Sequence, residues 1–318
     1  MTTGLETEAP PSGGARADSP EPAPLLFVGG TGRSGTHVVS KILGSHSSYR
    51  KVPNEARFHT DPGGYPDVLA GRTGPDLFAY RLRHHWWRNF EARRLTFRGL
   101  HRYVPRRRLD AATDSFLRRF GTEPEAALRQ LFFDLLWPLA TEWSKSGLIE
   151  QSCDTVAEAG TLAALFPEAR FIHVVRDGRD VAASRVGQAR WLTYPRTIDQ
   201  GLDWWQARIR RIDAGVRAAG GDRVRAVSLD DLVTDDGRRR SYARLRRFAG
   251  LPAEREMLGY FKGRVKVRNA HTERWRDAVP ARRQNEIDAR YVSILDGLEA
   301  DGVHCAALLR RVHERSAR

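Results

Sequence analysis

Short apolar runs alternate with helix-period stretches along most of this chain. Leu25–Val28 is an apolar block, followed by Gly-Gly-Thr-Gly-Arg-Ser-Gly-Thr at residues 29–36. Val38, Val39, Ile42 and Leu43 then recur at helical spacing until Gly44, giving strand, glycine-rich turn and helix. Leu148–Ser152 reads as a second strand and Ala157–Phe166 as a helix closed by Pro167. Phe171–Val175 reads as an apolar strand buried on both faces, leading through Arg176-Asp177-Gly178 into a helix that starts near Arg179. Val224–Ser228 is a further strand, between helices at about Ile198–Ala219 and Arg238–Ala249. Such alternation predicts an α/β fold of the P-loop-like kind, a parallel sheet with right-handed crossovers and helices on both flanks.

Residues 72–147 break the alternation. They carry Trp86, Trp87, many arginines and a helical pattern around Ala126–Trp143, without a strand signal. They are expected to form a mostly helical insertion over the C-terminal edge of the sheet, where open α/β sheets bind ligands. Lys262–Pro280 is polar and turn-rich, and a last helix is predicted near Arg282–Leu298. Residues 1–24, rich in Pro, Ala, Gly and Glu, read as a disordered tail, leaving 25–318 as one folded domain. No run approaches the roughly 20 apolar residues of a membrane span, so the chain is expected to be cytoplasmic, without stable membrane anchoring. Cys153 and Cys305 stand far apart and show no metal-ligand spacing, which predicts neither a disulfide scaffold nor a metal.

The formal charge of +14 raises a nucleic-acid reading. Only five lysines contribute, so the excess is arginine in a chain rich in Ala and Gly. That is a compositional skew, not the mark of a basic face, and no nucleic-acid partner is expected. A polyanionic small ligand suits arginine's bidentate fork better.

Candidate chemistry begins in the glycine-rich turn. Gly30, Gly32 and Gly35 let the backbone curl so that several N–H groups converge on one anion at a helix N-terminus, with Arg33 adding charge and Ser34 and Thr36 adding hydroxyls. Aligned on a Walker A loop, Thr36 and His37 fall where Lys and Ser/Thr belong. A P-loop nucleotide kinase is therefore disfavoured. A second basic site lies at Arg176, on a strand end, with Ser184 eight residues on in the next helix. A hydroxyl there can share an anion with the strand-end arginine only if the turn folds back. Arg179 and Asp180, between them, read as a surface pair of neighbouring charges.

The run Gly32-Arg33-Ser34-Gly35-Thr36-His37 resembles the 5′-phosphosulfate loop of sulfotransferases, commonly Pro-Arg/Lys-Ser-Gly-Thr-Thr/Ser, with Gly32 for the proline and His37 for the last hydroxyl residue. Arg176 and Ser184 stand at the separation of that family's 3′-phosphate motif. Ser228–Val233 and Arg247–Leu251 are similar to the segments that follow the fourth strand, and His271–Arg276, with Arg274 and Trp275, to the segment that closes over the nucleotide. The resemblance implies 3′-phosphoadenosine-5′-phosphosulfate (PAPS) as sulfuryl donor, no metal, and direct in-line transfer to a hydroxyl.

On the acceptor side, Glu55 and Arg57 in Val52–Phe58 are similar to the Glu-x-Arg of tyrosylprotein sulfotransferases, which implies Glu55 as base and Arg57 as a contact to the acceptor or to Glu55. His59 is the leading alternative base, ahead of His37 and His46. Gln151 occupies the position of that family's lysine near the leaving oxygen, so the charge there falls to Arg33 or to another arginine. The acceptor class stays open between a small molecule, such as a sugar or aromatic metabolite, and a glycan or lipid hydroxyl. Nothing in the sequence sets an oligomeric state.

Overall fold

The computed structural model describes residues 25–91, 96–188 and 194–316; the expected N-terminal tail lies outside them. Among the described residues seven strands form: β1 Leu25–Gly30, β2 Tyr49–Lys51, β3 Phe90–Glu91, β4 Thr96–Phe97, β5 Gly147–Glu150, β6 Arg170–Val175 and β7 Val224–Ser228. Five of them make one sheet in the order β2-β5-β1-β6-β7. Every pairing in it is parallel. The strand β2 escapes a periodicity reading, because an edge strand of Tyr-Arg-Lys has one apolar residue to show. β3 and β4 pair as a short hairpin inside the stretch read as strandless.

β1 lies at the centre, and its alternate residues face two cores. Leu25 and Phe27 meet the insertion helices Arg106–Phe120 and Pro124–Leu136 through Phe116, Leu131 and Phe132, with Phe171 and Leu148 alongside. Leu26 and Val28 meet the helix Thr36–Leu43 and, beyond it, Tyr242 and Leu245. A third core gathers Val175, Trp205, Trp275, Tyr291 and Leu309 under the C-terminal helices Ala281–Ala300 and Ala306–Ser316; the latter lies past the last helix that the sequence pattern predicts. The turn-rich stretch 262–280 holds the short helices Val267–Ala270 and Arg274–Ala278. No helix among the described residues is long and apolar enough to cross a membrane.

Arg179 and Asp180 overturn the surface-pair expectation, since both are buried to 1% exposure. Arg179 grips Asp177 with Nε to Oδ1 at 3.0 Å and Nη2 to Oδ2 at 2.5 Å, and also pairs with Asp288. Its guanidinium lies over the rings of Trp275 and Tyr291, 4.6 and 4.9 Å from their centroids. Burial alone opposes the charge, yet Asp177 more than restores it and raises the pKa. The adjacent pair points inward because the first turn of Gly178–Val186 is enclosed by the helix Ile198–Ala219 and the C-terminal helices. Arg179→Met keeps most of the bulk but strands Asp177 as an unpaired buried charge. We expect a loss of about 3–5 kcal/mol in unfolding free energy, read by chemical denaturation.

Candidate active site

All five strands of the sheet end on the same side, and the sequence-predicted residues gather at those C-terminal ends. After β1 the chain takes positive φ at Gly32 (77°), Arg33 (64°) and Gly35 (99°) before the helix Thr36–Leu43. At Gly35 a Cβ would also lie 2.7 Å from Leu229, so the turn after β7 packs directly on the loop. Successive N–H groups in such a conformation form a concave anion site. Ser34 Oγ is buried there without a hydrogen-bond partner, a hydroxyl that no protein group satisfies.

The second motif folds back onto the first. Arg33 Nε donates to Ser184 Oγ at 2.9 Å, across 151 positions of sequence. Arg176 Nη1 donates to the Arg33 carbonyl at 3.3 Å. Its Nη2 serves Ala270 O at 2.9 Å, His271 O at 2.5 Å and Asp180 Oδ2 at 3.3 Å, while its Nε is buried and unpartnered. Arg33, Ser34, Arg176 and Ser184 thus surround one place. The segment similar to the closing segment is fixed differently than expected. Trp275 is buried to 1% exposure against Arg179, and its N–H, with that of Glu273, binds Asp180. Its ring packs and presents no face to a ligand; Arg274 beside it is half-buried.

Next to the loop is a cavity of about 200 Å³ lined by Gly32, Arg33, Glu55, Arg57, Asp61, Cys153, Arg185, Trp204 and Arg208 among others. Glu55 follows β2, and Cys153 follows β5. The Cys153 thiol donates to Glu55 Oε1 at 3.3 Å. Burial raises the Glu55 carboxyl above the usual range, against the pull of Arg57 and that thiol. Burial and the Glu55 charge raise the thiol as well, so Cys153 stays protonated. Arg57, left-handed at φ 67°, turns its Nε to Asp61 at 3.0–3.1 Å.

Glu150 shapes the Glu55 loop. Its Oε1 accepts the Ala56 N–H at 3.1 Å and the Ser152 hydroxyl at 2.8 Å, and Ser152 Oγ in turn accepts the Arg57 N–H at 3.0 Å. His59 Nε2 meets Glu150 Oε2 at 3.0 Å, with no side-chain exposure. The rival histidine is therefore placed in the core among Phe27, Phe58 and Phe132, behind the loop and off the cavity. Burial alone would raise Glu150, but His59 and the N–H groups hold it below the usual carboxylate value. His37 and Gln151 meet each other: His37 Nδ1 lies 3.2 Å from Gln151 Oε1, which also accepts from Ser40 at 2.5 Å. Burial first, then Lys51 and Lys41, lower His37 to about 4. The neutral ring carries its proton on Nδ1 toward Gln151, leaving no ring N–H for a phosphate. His46 is buried at the helix end, with Nδ1 accepting the Ser48 N–H.

Cys153, Arg185, Trp204 and Arg208 are among the cavity residues that were not singled out from sequence. Cys153 sits just past a strand end, the one signal that marks it. Arg185 and Arg208 stack on Trp204 at 4.7 and 5.5 Å, Arg208 pairs with Asp154, and the Nε of each arginine is buried without a partner. Burial and the Arg208 charge lower the Arg185 pKa. A larger cavity of about 610 Å³ is lined by Asp177, Asp180, Asp230, Glu273 and Glu314 together with Arg311 and Arg315, so carboxylates outnumber cations on its wall.

Asp230 carries a pH signature. Its Oδ2 accepts the Asp177 N–H at 3.1 Å, and burial, followed by the Asp177 charge, raises its pKa to about 7. The folded chain favours the neutral acid, so stability falls as pH rises from the unfolded value near 4 through about 7. Asp230→Asn should therefore stabilise the protein by about 2–4 kcal/mol above pH 7, with the gain shrinking toward pH 4. Thermal melts across pH check it; a pH-independent gain contradicts the assignment.

Residues 24–255 match the sulfotransferase family. Among solved structures, the sulfotransferase domain from the Synechococcus PCC 7002 olefin synthase is similar at 16% identity and a TM-score of 0.49, over 88% of this chain and 96% of that one. Sulfotransferase STF1 from Mycobacterium tuberculosis is similar at 14% identity and a TM-score of 0.43, over 76% and 71%. No curated protein matches the chain.

Proposed function

The chain belongs to the sulfotransferase family, and on that premise we propose that it moves a sulfuryl group from PAPS to an acceptor hydroxyl by direct in-line transfer, with Glu55 as base. The observation that carries the donor assignment is the Arg33–Ser184 hydrogen bond of 2.9 Å, which joins the two phosphate motifs into one site. The unpartnered Ser34 Oγ and Arg176 Nε fit a ligand bearing two phosphate positions. The loop 32–37 would hold the 5′ end and Arg176 with Ser184 the 3′ end. Bound there, PAPS supplies the activated sulfuryl group. An arginine-rich nucleic-acid surface accounts for none of these contacts.

Glu55 is suited to remove the acceptor proton because it faces the cavity and burial makes its carboxylate a stronger base. The Cys153 thiol fixes one of its oxygens. Gln151 is held at its carbonyl by Ser40 and His37, so the cationic role near the leaving oxygen goes to Arg33 and Arg185. A hydroxyl acceptor, small or presented on a glycan or lipid, enters between Glu55, Arg57 and Trp204.

The product 3′-phosphoadenosine-5′-phosphate should raise the melting temperature where AMP and ATP at matched concentration barely do. Arg176→Ala should weaken its binding by about 2–3 kcal/mol in calorimetry. Equal shifts with AMP would remove the donor assignment. Glu55→Gln should leave nucleotide binding intact and lower turnover by roughly 10²–10⁴-fold, measured with labelled PAPS against an acceptor found by screening metabolites for sulfuryl mass gain. Near-normal turnover in Glu55→Gln transfers the base role elsewhere.

A further inference from the structure

Within β6, in a strand otherwise apolar from Phe171 to Val175, His173 is fully buried. Its Nδ1 lies 2.8 Å from His304 Nε2. His304 Nδ1 lies 2.9 Å from Asp213 Oδ1, which also accepts the His304 backbone N–H at 2.8 Å. A carboxylate only accepts, so the His304 proton sits on Nδ1 and its Nε2 offers a lone pair. The next residue, Cys305, is a buried free thiol. One ligand atom each from His173, His304 and Cys305 lie within 4.8 Å of one another.

We propose that His173, His304 and Cys305 form a zinc-type metal site, with Asp213 orienting His304 and solvent in the fourth position. Two imidazoles and a thiolate are the donor set of a borderline-soft divalent ion in tetrahedral geometry. A carboxylate on the far nitrogen of a histidine is the outer support such sites use. The side chain of His304 is 20% exposed, which gives the ion an entry route and a solvent ligand. A plain Asp213–His304–His173 hydrogen-bond relay gives no part to the Cys305 thiol, whose sulfur lies within 4.8 Å of both histidine ligand atoms. On binding, the Cys305 thiol gives its proton to solvent and an S–metal bond replaces the S–H bond. His173 moves its ring proton from Nδ1, where it bridges to His304 Nε2, to Nε2, so that both imidazoles bind neutral, each with one ring proton on the nitrogen that does not bind, and no electron is transferred. None of the three ligands lines the Glu55 cavity. The site ties the start of the helix Ala306–Ser316 to β6 and, through Asp213, to the helix Ile198–Ala219.

The test uses the untagged full chain, stripped with chelator and titrated with Zn²⁺ or Co²⁺. Expected are about one ion per chain, tetrahedral cobalt bands in the visible, and a near-ultraviolet thiolate-to-cobalt charge-transfer band. Cys305→Ser should abolish the charge-transfer band and weaken uptake at least tenfold, while Cys153→Ser keeps both. Because Cys305 is in the core, His304→Gln is run alongside with circular dichroism as the fold check, and it too should lose the ion. The proposal is overturned if the parent chain takes up well under one ion, if the band survives Cys305→Ser, or if folded His304→Gln binds as the parent does. None of these readouts depends on PAPS or on turnover.

Discussion

Asp180 lies at 1% exposure in the first turn after β6 and accepts three hydrogen bonds from two separate parts of the chain. One oxygen takes Arg176 Nη2 and the Glu273 N–H; the other takes the Trp275 N–H. Burial raises its pKa, against the pull of Arg176. Desolvating such a group costs several kcal/mol, and its partners return that only when all are in place. The cluster therefore acts less as a source of stability than as a register mark. It admits one placement of residues 270–275 relative to the strand end, and that placement aims Arg176 at the Arg33 carbonyl. Arg179, gripped by Asp177 and stacked on Trp275, locks the same turn from its other side.

A comparable device sets the acceptor side. Glu150 ends β5, and the residues it holds flank Glu55 without touching it: Ala56 directly, Arg57 through Ser152. The proposed base thus sits on a short loop in which the next two backbone N–H groups, of Ala56 and Arg57, are already bonded. What remains adjustable is its carboxylate, fixed on one oxygen by Cys153. A base held in this way loses little freedom when a substrate arrives, which is what positioning contributes to rate.

The residues of the proposed donor half could be picked out from the sequence because their constraints are local. A left-handed backbone at Gly32 and Gly35 demands glycine, and a basic residue at a buried strand end is rare enough to notice. Of the residues around the proposed acceptor side, the sequence singled out Glu55 and Arg57 at the cavity. Glu150, Cys153 and the inward role of His59 depend on β2 lying beside β5, and β2 has too few apolar residues to announce itself. Arg179 and Asp180 misled for a related reason. Adjacent opposite charges on a helix normally face solvent, and only the packing of the C-terminal helices over that turn reverses this. His304 and Cys305 carried no spacing signal, since their third partner is on a strand 131 residues earlier than His304.

The neutral residue at Gln151 follows from the charges around it. His37, in contact with Gln151, is lowered by burial and by Lys51, Lys41 and Arg98. Lys51 is itself pushed down to about 8, first by burial, with Lys41, Arg50 and Arg98 adding to it and Glu150 opposing. A lysine at 151 would add a cation to a place where existing ones already repel each other in a partly dehydrated setting. An amide accepts from Ser40 and His37 and keeps the first helix joined to β5 without that cost. The positive charge is found instead across the cavity, at Arg33 and Arg185, where Trp204 covers Arg185 and Glu55 faces it on the same cavity wall system. Arg33 after β1 and Arg185 after β6 thus bring cations to the cavity itself, the side from which the proposed transfer would have its developing negative charge stabilised.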